Sequence, residues 1–154
     1  MLDQLRTDDL LIRSKAAELL ARARHDVVDA ELAYRREHLP APTRDKPFAD
    51  PEALRQARRI QAVADELSAV AAAITSAPVP ESDRMWERHR NETTTLAQLG
   101  EIDIELVEIA AAINESMCEG GHAWIIGHID ELSPALGALK GVLRRREGIL
   151  HIAG

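Results

Sequence analysis

All seven prolines of this 154-residue chain fall in three places: Pro40, Pro42, Pro47 and Pro51 within LPAPTRDKPFADP, Pro78 and Pro80 within SAPVPESD, and Pro134. Proline withholds a backbone donor and clashes with the preceding turn, so a helix cannot run through either cluster. The long stretches between them carry apolar residues at steps of three and four, the spacing of one helical face. Alanine and leucine recur throughout and aromatic residues make up only 3%. That balance favours helix over sheet, because Ala, Leu, Glu and Arg lose little freedom in a helical backbone.

The pattern predicts an all-α fold, an up-and-down antiparallel four-helix bundle with two long helices and a bent or split last helix. Segment one runs from about Asp3 to Leu39 with Leu5, Ile12, Ala16, Leu19, Ala23, Val27, Ala30 and Tyr34 on its stripe. Segment two opens with Asp50 as N-cap, Pro51 in the first helical position and Glu52 in the first turn. Its stripe is Ala57, Ile60, Ala64, Leu67, Ala71 and Ile74, whose alanines admit a close neighbour. Segment three extends from about Asp83 to Cys118 through Leu99, Ile102, Leu106, Ile109, Ile113 and Met117, and Gly120 and Gly121 close it. Segment four starts near His122 and bends at Leu132–Ser133, where Pro134 can sit in a new first turn. The whole is one domain, 1–154, with a proline-rich loop at 40–51, turns at 77–82 and 119–122, and a frayed tail at 150–154.

Charge and cysteine content exclude several function classes. A formal net charge of -7 opposes phosphate backbones on average, so nucleic acid is not the expected partner. Cys118 stands alone, which rules out an internal disulfide and any multi-cysteine metal site and points to the cytoplasm. No apolar run reaches the roughly 18 to 20 residues of a membrane span, and MLDQLRTDDLLIRSK lacks the order of a signal peptide. The alanine- and arginine-rich composition is similar to that of products of high-GC bacterial genomes, so a bacterial or phage source is expected.

Reactive constellations are sparse. No GxSxG elbow, Walker A loop or GxGxxG turn is present. The acidic neighbour Glu119 and a helix C-terminus oppose a thiolate at Cys118. Of the six histidines, His25, His38, His89, His122, His128 and His151, only His122 stands three residues after a glutamate, and that step crosses the diglycine. No metal or other cofactor is therefore expected. Glu101, Glu105 and Glu108 share one helix side and are the carboxylates that would grip a divalent cation, although such a row commonly faces water.

Arg84-Met85-Trp86-Glu87-Arg88-His89 places an arginine and a histidine with four residues between them. This spacing resembles the R-x(4-6)-H motif of the HEPN ribonucleases, small all-helical proteins that pair two such motifs across a dimer. The resemblance covers six residues and has Met85 where that family usually has a polar residue. It implies metal-independent RNA cleavage, with Arg84 stabilising phosphate charge and His89 transferring protons. The competing reading puts His89 at the rim of the core, hydrogen-bonded to an acid.

A third feature is Gly137 and Gly141 with small-xxx-small spacing. They suggest either a closely packed neighbouring backbone or a ligand groove beside Trp124 and His128. The basic clusters Arg55, Arg58, Arg59 and Arg144–Arg146 are expected to meet the acidic side of segment three. Leu2, Leu10, Leu11, Leu20, Val28 and Leu32 fall outside the main stripe of segment one and predict burial in a homodimer. The leading expectation is a non-enzymatic bundle protein that self-associates and binds another protein through an amphipathic helix surface. The ribonuclease and the bundle that binds a small molecule or a metal are its rivals.

Overall fold

The structure is a computed structural model that describes the backbone of residues 2–79 and 86–153 and the side chains of 4–79 and 95–150. It is all-helical, with α1 (Leu2–His38), α2 (Pro51–Thr75), α3 (Trp86–Gly127) and α4 (Leu132–Ala153), and a single 3-10 turn at Ile129–Glu131 among the described residues. The helices pack against one another: α1 lies against both α2 and α3, α4 lies against α3, and α2 also touches α4. None of the described helices is long and apolar enough to cross a membrane.

Helix boundaries follow local chemistry. Asp50 caps α2, its carboxylate accepting from the Glu52 amide at 3.0 Å, and Pro51 occupies the first turn. The C-terminal end of α2 is closed by the Ser76 amide, which donates to the Ala72 carbonyl at 3.0 Å. The α3 helix is interrupted at Gly121, whose φ of 67° and ψ of -169° lie in territory that L side chains avoid. The bend expected at Leu132–Ser133 is built by His128 and the 3-10 turn, so α4 starts at Leu132 with Pro134 in its first turn. It continues to Ala153, through most of the tail expected to fray, because Ile149 and Leu150 are half-buried.

The core is aliphatic and alanine-rich, built from Ala16, Leu20, Ala23 and Val27 on α1, Ile60, Leu67 and Ile74 on α2, Leu106, Ala110 and Ile113 on α3, and Leu136 and Leu139 on α4. Two expectations need correction. Leu20, assigned to a dimer surface, is fully buried within the chain, because the α1 stripe is wide enough for both Leu19 and Leu20 to face inward between α2 and α3. Leu10, Leu11 and Leu32 do remain exposed. Gly137 and Gly141 admit no closely passing backbone, since a Cβ built on either meets nothing within 4 Å.

Candidate functional site

Charged residues occupy core positions at one end of the fold. Asp9 and Arg13 extend the buried stripe of α1 outward from Ala16, Asp103 sits on α3 between Leu99 and Leu106, and Arg146 follows Val142 on α4. All four are 4% exposed or less. Arg146 holds the group together: Nε donates to both Asp103 carboxylate oxygens at 3.1 Å, Nη2 to Asp9 Oδ2 at 3.1 Å and Nη1 to the Pro78 carbonyl. Arg13 Nε donates to Asp9 Oδ2 at 2.9 Å. Its Nη1 reaches the carbonyls of Ile74, Thr75 and Ala77 at 3.1, 3.2 and 3.0 Å, and so closes the C-terminal end of α2.

Burial pushes the Asp103 carboxyl up to about 7, helped by its hydrogen bond to Asp9 and opposed by the charge of Arg146. The arrangement accommodates a protonated Asp103. Asp9 Oδ1 is buried with no other hydrogen-bond donor among the described residues, so it can accept that proton. The α2 carbonyls meanwhile supply partial negative charge to Arg13. A cluster this buried fastens four helices together.

An accessible apolar groove lies elsewhere, beside Trp124. Gly120 places no Cβ where the Trp124 Cβ and Cγ lie, so the indole folds back against the helix that precedes the Gly121 break. Trp124 stacks on His128, with ring centroids 4.5 Å apart and planes 10° apart. The imidazole Nδ1–H donates to the Trp124 carbonyl at 2.8 Å, which sets the ring's orientation. Together with Ile109, Ala112 and Ile113 of α3 and Leu132 and Ala135 of α4, Trp124 lines an open groove of about 420 Å³. Glu108, Ser116 and Glu131 supply its polar groups. The groove is thus apolar with two carboxylates, a surface suited to an apolar group that carries positive charge nearby.

Of the residues singled out from sequence for a ligand, Trp124 lines the groove, His128 stacks on Trp124 without being part of the lining, and Gly137 and Gly141 lie outside it. The row Glu101, Glu105 and Glu108 is dispersed in use: Glu101 is exposed, Glu105 pairs with Arg145, and Glu108 lines the groove. No group of three or more His, Cys, Asp or Glu side chains able to hold a metal ion occurs among the described residues. Arg84 lies outside the described residues, as does the side chain of His89, which sits near the start of α3. Cys118 is exposed, its Sγ 4.0 Å from Asp26 Oδ2. Arg145 and Arg146 do meet acids of α3, whereas Arg59 pairs with Asp130 and Arg55 with Glu52.

Sequence reading missed Asp9, Arg13 and Asp103, and expected Arg146 to meet an acid of segment three at its solvated side rather than inside the core. The signal that could have found them was register: Asp9, Arg13, Ala16 and Leu20 are spaced as one stripe, as are Leu99, Asp103 and Leu106. No family model, curated protein or solved structure matches the chain.

Proposed function

We propose that this protein is a non-enzymatic helical-bundle protein of the cytoplasm that self-associates and binds another protein through an amphipathic helix surface, the helices running up and down in antiparallel order. The observation that carries this reading is the Trp124 groove, an open apolar surface between α3 and α4 with Glu108 and Glu131 beside it. Exposed Leu10, Leu11, Leu32 and Ile104 add apolar area outside it. Among the described residues, Asp9, Arg13, Asp103 and Arg146 are buried and tie the helices to one another.

A partner segment that suits the groove presents an apolar face with basic residues beside it, as an amphipathic helix with basic flanks does, laid with its apolar side on Trp124. Ala112 is exposed on the groove lining, so Ala112→Arg introduces bulk and charge there without touching the core. With Trp86→Phe as background, Trp124 becomes the sole tryptophan. Its emission should shift when a synthetic basic amphipathic helical peptide is added, and Ala112→Arg should remove the shift while helicity stays constant. An emission that ignores such peptides, in a protein whose mass is that of a monomer at every concentration, overturns the reading.

A small-molecule reading draws on the same groove, since its volume falls within the range of ligand pockets. Its openness to solvent favours the extended partner.

A further inference from the structure

Phe48 is 88% exposed, the most exposed of the large apolar side chains described, and it sits in the loop between α1 and α2. The loop has local order: the Thr43 amide donates to the Lys46 carbonyl and the Lys46 amide to Thr43 Oγ1, both at 3.1 Å. Prolines at 40, 42 and 47 further restrict the backbone. Lys46 precedes Pro47, a position biased toward extended backbone, and both Lys46 and Phe48 are exposed. The loop therefore carries an exposed aromatic ring two residues from an exposed lysine, with Arg44 and Asp45 at the tip of the turn.

The Trp124 groove has the complementary character, apolar walls with the carboxylates of Glu108 and Glu131. Loop and groove also lie at the same end of the fold. Gln56 on the second turn of α2 reaches the Ile126 carbonyl, and Arg59 pairs with Asp130 beside the groove. A single two-fold axis at that end can consequently satisfy two loop-to-groove contacts at once, the geometry of an isologous dimer.

We infer that the groove is filled by the Phe48 loop of a second copy of this chain, with the Phe48 ring against Trp124 and Lys46 facing Glu108 and Glu131, in a reciprocal exchange of loops. The inference rests on the groove being a protein-docking surface and names its occupant. Because the loop is already turned and proline-restricted, little ordering opposes docking.

Sedimentation of the full chain over a range of concentrations, with Trp124 emission read in the Trp86→Phe background, tests it. The wild type should form dimers. Phe48→Ala should weaken dimerisation roughly a hundred- to ten-thousandfold, because the reciprocal dimer loses two buried phenyl rings at about ten- to a hundredfold each, without loss of helicity. Lys46→Glu should weaken it as well, and adding Glu131→Lys to Lys46→Glu should restore it. A synthetic peptide spanning Ala41–Asp50 should shift Trp124 emission in the Phe48→Ala protein, and the same peptide with alanine in place of phenylalanine should not. If Phe48→Ala leaves the mass unchanged while Ala112→Arg produces monomers, this inference falls and the docking reading stands. A monomeric wild type whose Trp124 groove takes the peptide overturns the second copy as occupant and leaves the docking reading standing. If the wild type is monomeric and Trp124 ignores both this peptide and the basic helical peptides, both ideas fall.

Discussion

Asp103 occupies a core position flanked by Leu99 and Leu106, and its surroundings decide how the protein responds to pH. Unfolded, its carboxyl titrates near 3.8; folded, it is pushed up to about 7 by burial and by Asp9. Between those values the folded chain holds a proton that the unfolded chain has released, so this residue's contribution to stability is full below about 3.8 and is lost as pH rises through about 7. Asp103→Asn resembles the protonated carboxyl and removes the titration. Thermal melts of the wild type should show a lower Tm at pH 8 than at pH 5.5 relative to the same difference in the Asn variant. Equal differences in the two proteins would show that the folded carboxyl is ionised throughout. This behaviour was not legible from sequence. A charged residue on an apolar stripe is ordinarily a stripe's edge, and only the convergence of Asp9, Arg13 and Arg146 from two other helices makes the position a buried one.

The diglycine of α3 shows how much of an element can be read from its wording. Two adjacent glycines are recognisable as a stop, and the chain does break there, but their separate tasks depend on what folds against them. Gly121 is needed for its backbone, with φ of 67° and open space where a methyl would stand, whereas Gly120 is needed because the Trp124 side chain lies where its Cβ would be. Gly121→Ala should therefore destabilise the protein by about 1–3 kcal/mol without altering the groove. Gly120→Ala should displace Trp124, change its emission and abolish peptide binding at the groove. Denaturant titration separates the two effects from each other. The capped start of α2 was fully legible because Asp50, Pro51 and Glu52 act within one turn. The small-residue spacing of Gly137 and Gly141 misled, since glycine on an exposed helix face looks the same in sequence as glycine under a crossing helix.

Four helices and their order followed from where prolines stand and where apolar residues recur, because both act through local backbone chemistry. What holds one end of the molecule together did not, since it requires residues as distant as Asp9 and Arg146, separated by 137 positions. Removing Arg146 takes away the guanidinium that hydrogen-bonds both Asp103 and Asp9 and leaves Arg13 as the remaining cation described beside the two buried carboxylates. A chain ending at Arg144 should lose about 3–5 kcal/mol of stability, with a broadened melt, while one ending at Gly148 keeps the arginine and should melt close to the full-length protein. Comparable melts for the two would place the stability of this end in its aliphatic packing alone. The position of Arg146 on α4 also orders events during synthesis. As the polypeptide leaves the ribosome, α1 and α2 can meet early and Arg13 can pair with Asp9 within α1, but the Arg146 guanidinium that hydrogen-bonds both Asp103 and Asp9 arrives only with α4. Maturation of that end is accordingly postponed until the fourth helix has emerged, and a nascent chain stalled before that arginine would present an unsealed end to cellular quality control.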